Sequence, residues 1–251
     1  MSEWWSYRPS DFLMFAPRTY WRLFELLNQA AWPLALLFMA AGLVLLVAAA
    51  RGVARGMAAA PLLLRGGALW LALAWVHAGW AFVLQRYAPV NWAAVPMAAG
   101  FAWQAMAWLL LAAAGARALA VPPGAVQLPA PLHRRRVGGV LLMAAALLLH
   151  PLLAWASGRP PEQAELFGLA PDPTAIASLG LLLWCGPLRH ALLALALWAV
   201  PVAWCLVSAA TLWTLGSAQA LVPAAALGLA AWLLRRGRAA RRQIPADAAG
   251  L

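Results

Sequence analysis

The sequence predicts an all-α, polytopic integral membrane bundle of about seven transmembrane helices. Hydrophobic residues make up 65% of its 251 residues and charged ones only 10%, against about 25% charged in soluble domains. Seven apolar stretches come near the ~20 residues needed to cross a bilayer. All eighteen basic residues are arginine, and most lie in short segments flanking those stretches. The net charge of +11 therefore reads as topology setting and contact with lipid phosphate, not as nucleic-acid binding.

Residues 1–29 interleave aromatic side chains such as Trp4, Tyr7, Phe12, Tyr20, Trp21 and Phe24 with Arg8, Asp11, Arg18, Arg22 and Glu25. That composition suits an amphipathic helix lying at headgroup level. The first apolar run begins near Ala30 behind three acids, and Arg51 and Arg55 follow Ala48 to Ala50. This is the pattern of a retained span, not of a cleaved signal. Spans are expected at 30–50, 66–84, 93–115, 137–156, 173–185, 190–212 and 217–234. They form one transmembrane domain over 30–234, followed by a basic cytoplasmic tail at 235–251. The fifth is short: about 13 residues cover about 20 Å, less than a hydrocarbon core of about 30 Å.

Alternating these spans puts Arg8, Arg18, Arg22, Arg86 and Arg159 on one side with six acids. The other thirteen arginines, among them Arg134, Arg135, Arg136, Arg235 and Arg236, lie on the opposite side with Asp247. The positive-inside rule then sets the amino terminus outside and the carboxyl terminus in the cytoplasm of a bacterial inner membrane. Those five named arginines are expected to meet anionic headgroups.

The loop at 157–174, SGRPPEQAELFGLAPDPT, concentrates polarity. It holds Pro160, Pro161, Pro171 and Pro173 with Glu162, Glu165 and Asp172. Proline lacks a backbone donor and keeps its predecessor out of the helical region, so the stretch is irregular. Asp172 before Pro173 reads as an N-cap followed by a first helical residue. Because the following span is short, the loop is expected to dip from the outer face and form an outward-facing vestibule.

His77, His150 and Gln104 fall at similar depth by the 1.5 Å rise per residue. Together they suit a proton relay, a metal site or a pair of axial haem ligands, and singly they suit hydrogen-bonded packing. His77 and His150 are the candidate cofactor-holding residues, although nothing in the sequence requires a cofactor. Glu162, Glu165 and Asp172 suit a cation at the vestibule mouth or a solvated loop. Cys185 and Cys205 lie about 20 to 25 Å apart along the membrane normal, too far for a disulfide. There is no metal-spaced motif, phosphate-binding glycine loop or nucleophile elbow. Trp32, Trp92, Trp155, Trp184, Trp213 and Trp232 fall near span ends as an interfacial belt. Trp75, Trp103 and Trp198 lie deeper, where they suit a cavity lining.

NQAAWP at 28–33, APVNWAA at 88–94 with Gln104 thirteen residues after Asn91, and the run from HPLLAW at 150–155 to LLLW at 181–184 resemble an uncharacterised family of bacterial multi-pass membrane proteins. Its members are sometimes labelled permeases. The resemblance covers about residues 25–234, and its most specific piece is FGLxPxPT at 167–174. Here Asp172 stands where the resemblance implies cysteine. The leading function is a permease-like carrier of a small solute or ion, with Asn28, Asn91, Gln104, Asp172 and Thr174 as lining residues beside His77 and His150. The alternative is a structural or cofactor-holding subunit of a larger membrane complex; the expected partners are a second copy of the chain or a membrane-complex protein. An enzyme is the third reading, lacking a visible nucleophile and base.

Overall fold

The computed structural model describes residues 15–56, 59–120 and 129–242. Residues 1–14, with the first half of the expected interfacial segment, and 243–251, with the end of the basic tail, lie outside the described residues. The chain is all-helical over the described residues. Helix α1 spans Pro17–Ala54, α2 Pro61–His77, α3 Ala94–Ala114, α4 Ala130–Ala144, α5 Leu152–Ala156, α6 Pro171–Cys185, α7 Ala191–Thr214 and α8 Leu221–Arg242. Each of the seven apolar stretches is helical. Five helical segments, 17–54, 61–87, 94–118, 191–214 and 218–236, are long and apolar enough to cross a membrane.

Helix α1 runs through the expected boundary at Ala30. It bends at Ala31, whose φ of −112° and ψ of 16° leave the helical region. Pro33 explains the bend, since it has no N–H and its ring crowds the carbonyl four residues back. Helix α2 continues into a π-helical stretch over Ala78–Tyr87, and α4 into one over Ala145–Leu149. The second ends where His150 donates its N–H to the Ala145 carbonyl at 2.8 Å, just before Pro151 breaks the ladder. Each of the two membrane histidines thus flanks a π segment, a distortion frequent at functional sites.

Packing follows a closed ring. Helix α1 packs on α2, α2 on α3, α3 on α7, α7 on α8, α8 on α4 and α4 back on α1. Helix α6 occupies the middle, against α2, α4, α7 and α8, and all fifteen of its residues are buried. A helix apolar on every side is a buried one. The ring helices turn leucines such as Leu37, Leu73 and Leu195 outward, as a surface facing lipid does. Lipid tails are as apolar as leucine, so close van der Waals packing holds such helices together. The α4–α6 crossing shows this: a Cβ on Gly139 would lie 2.5 Å from the Gly180 carbonyl oxygen and 2.6 Å from the Trp184 nitrogen.

The two ends of α6 are finished differently. At the carboxyl end Gly186, at φ +90°, reverses the chain. Arg135 donates to the Leu182 carbonyl at 3.2 Å and Arg136 to the Trp184 carbonyl at 2.9 Å. Arginines at a helix carboxyl terminus satisfy orphan carbonyls and oppose the helix dipole. Arg136 is 2% exposed, with its guanidinium 5.0 Å from the Trp184 ring centre. Hence Arg136 faces inward, away from the headgroup role expected of it, and Trp184 belongs to the core, not to the aromatic belt. Arg134, Arg235 and Arg236 are exposed.

Candidate functional site

The loop before α6 is folded into the bundle. Ala164, Glu165 and 167–170 are buried, and Phe167 stacks on Trp70 at 3.8 Å between ring centroids. Gly168 permits the turn with φ +79°, and a Cβ there would sit 2.5 Å from the Phe38 ring. The segment expected to border a vestibule is therefore itself part of the core. It is clasped from two sides. Asn28 donates to the carbonyls of Glu162 and Ala164, both at 2.8 Å. Arg159 donates to Gln219 at 2.9 Å and lies over the Trp21 ring at 3.5 Å, while Gln219 donates to the Leu153 carbonyl at 2.9 Å.

Helix α6 starts two residues earlier than expected. Its N-cap is Ala170, Pro171 is the first helical residue, and no side chain caps it. Thr174 organises this end instead, donating to the Ala170 carbonyl at 2.8 Å and accepting from the Gly168 N–H at 3.1 Å. Asp172 is not the N-cap, because its carboxylate points across to α7. There the Trp204 indole N–H donates to Oδ1 at 2.7 Å and the Ser208 hydroxyl to Oδ2 at 2.5 Å.

Three side chains converge on this end: His150 from the α4–α5 break, Glu165 from the loop and Asp172 from α6. One ligand atom from each lies within 4.8 Å of the others. All three are buried, at 4%, 3% and 2% exposure. Neither ring nitrogen of His150 has a hydrogen-bond partner, nor has Glu165 Oε2. Burial pushes the Glu165 carboxyl well above the usual carboxylate range, the neighbouring Asp172 charge adds to the rise, and Arg159 opposes it. Among the described residues the sole ion pair joins Arg22 to Glu25, so neither inner carboxylate has a cation at pairing distance. His150 also lines an apolar groove of about 370 Å³ between α4–α5 and α8, with Leu149, Ile176 and Ala225.

A buried carboxylate must be hydrogen-bonded, paired, protonated or bound to a metal. Asp172 has its two donors, whereas Glu165 and His150 face the same space without partners. The cluster therefore has the means to hold a proton or a cation.

The other expected site residues are not gathered there. His77 Nδ1 lies 2.8 Å from the Gly168 carbonyl oxygen, and Gln104 donates to the Leu197 carbonyl at 3.1 Å. The trio of His77, His150 and Gln104 thus has three separate destinations, because helical depth fixes height but not the face a side chain takes. Asn91 accepts from the Ala93 N–H at 3.0 Å as a local turn at the start of α3. Glu162 is exposed. Trp75 donates to Ser178 at 2.9 Å within the core, while Trp103 is 61% exposed and lines no interior space. Cys185 and Cys205 are both free and buried.

Trp204, Ser208 and Gln219 were not singled out by sequence. Trp204 and Ser208 stand four apart on α7, one turn of a single face, and a serine inside an apolar span was the available signal.

The model of a family of unknown function, DUF6064, matches residues 18–243, which include every residue of the cluster. The chain belongs to that family. No curated protein and no solved structure matches it. DUF6064 membership brings no activity with it, so the reading rests on the cluster's own chemistry.

Proposed function

We propose that this protein is a permease-like carrier of a small cation in the bacterial inner membrane. The observation that supports the reading most is the pair of buried carboxylates, Glu165 and Asp172, without an ion-pair partner among the described residues. Ionisable groups inside a membrane bundle mark ion pathways and proton relays. A half-length helix whose amino end meets irregular backbone is also how secondary transporters build their sites. Seven crossings with the amino terminus outside belong to the same reading, on the strength of the arginine distribution. The expected result is cation-driven flux in proteoliposomes that Glu165→Gln abolishes; equal flux in protein-free liposomes would sink it. Cysteines introduced at Gln163 and Arg134 should label from outside and inside respectively, and reversed labelling would overturn the orientation.

The second reading, a cofactor-holding subunit of a membrane complex, draws on His150 beside the apolar groove. Native mass spectrometry after mild-detergent purification separates the two, since a subunit carries a partner or cofactor with it.

A further inference from the structure

We infer that His150, Glu165 and Asp172 form a binding site for one divalent first-row transition-metal ion. This deepens the carrier reading by naming its ion, and rests on it for the role though not for the binding.

The donor set carries the choice. One imidazole nitrogen with two carboxylates is an N/O set that suits zinc, manganese or iron(II), whereas magnesium and calcium prefer all-oxygen shells and copper(I) prefers sulfur. The two free cysteines lie elsewhere in the core and are not in the cluster. Ligands about 2.1 Å from a tetrahedral ion sit about 3.4 Å from one another. The three atoms lie within 4.8 Å of each other, so rotation of His150 and Glu165 by about an ångström closes the set. Both are free to rotate toward the ion in the sense that matters, because His150 Nδ1 and Nε2 and Glu165 Oε2 hold no hydrogen bond that would have to break.

Asp172 is already oriented. Trp204 and Ser208 each donate to one of its oxygens, the outer-shell arrangement that fixes a ligating carboxylate while leaving each oxygen a second lone pair. Charge favours the ion as well. The two carboxyl groups and the imidazole meet Arg159 only at a distance, its guanidinium being engaged with Ser157, Gln163 and Gln219. A divalent ion supplies a countercharge within ligand distance, where no cation of the described residues pairs with either carboxyl group.

The test uses the full chain purified in mild detergent, dialysed separately against zinc and cobalt(II). The expected result is about one ion per chain. The cobalt form should show visible absorption that disappears in His150→Ala, and affinity should fall at least ten-fold in Glu165→Gln and in Asp172→Asn. Circular dichroism and thermal unfolding identify variants that stay folded, and the wild-type stoichiometry stands on its own if one does not. No zinc or cobalt bound by the wild type, or binding unchanged in all three folded variants, overturns the metal site. If that occurs while Glu165-dependent proton flux persists, the carrier reading stands without the metal. If one metal binds but no cation flux is seen, the site stands and the carrier reading falls.

Discussion

The amino and carboxyl ends of α6 lie within one buried helix, yet they treat charge in opposite ways. At the carboxyl end Arg135 and Arg136 reach the Leu182 and Trp184 carbonyls. Each arginine thus gives an orphan acceptor a donor, and the helix dipole favours the arrangement. At the amino end Asp172 has donors, but Glu165 Oε2 and both nitrogens of His150 have none. A protein that can place two arginines so economically at one end has left three ligating groups facing each other at the other. At the carboxyl end the arginines supply donors to helix carbonyls; at the amino end Glu165 and His150 present ligand atoms without hydrogen-bond partners.

This contrast breaks most visibly at the close crossing of α4 and α6. Gly139→Leu forces a side chain into the Gly180 and Trp184 backbone, and is expected to cost about 3 kcal/mol, the upper part of the range for overpacking. Thermal unfolding in detergent reads this as a lower Tm. Arg136→Met removes a charged donor from a buried carbonyl at an expected cost of about 2 kcal/mol. It should leave metal affinity per folded molecule unchanged, and a loss of affinity there would mean that the two ends are not separate. Ser208→Ala should weaken metal binding about ten-fold, about 1.4 kcal/mol, and also lower the Tm of the metal-free protein, since the buried Asp172 carboxyl keeps one donor instead of two.

A further effect is the dependence of stability on pH. Glu165 faces Asp172, His150, Arg159 and, from α1, Tyr20, and its carboxyl is raised above the ordinary value mainly by burial. A raised folded value gives stability that is complete below the ordinary carboxyl pKa and is lost as pH rises through the raised one. The metal-free protein should therefore be more stable in mild acid than at neutral pH. Glu165→Gln should flatten that slope, because it removes the group whose raised carboxyl produces it. A slope that survives the substitution would assign it to another group.

The helices were legible in the sequence because hydrophobic length and the proline and glycine breaks act locally. The short α6 stood out from its length alone, and so did the irregular loop before it. Positions around each helix axis were not legible. His77, His150 and Gln104 share a depth but not a face, and only the ring packing turns His150 toward Glu165. Arg136 and Trp184 read as surface anchors because charge and indole usually seek the interface. The inward turn of Arg136 depends on the Trp184 carbonyl, which lies 48 residues away in sequence, and Trp184 is buried with the rest of α6. Asp172 looked like a cap because Asp before Pro commonly is one, and Trp204 with Ser208 drew it elsewhere.

The ring around α6 also dictates an order of manufacture. Helices emerge from the ribosome in sequence, and α6 emerges before α7 and α8, two of the four helices that pack on it. Until α8 closes against α4, the short helix that carries Asp172 waits with one flank unpacked. A nascent chain arrested before Leu221 thus leaves exposed the flank of α6 that α8 covers in the finished fold.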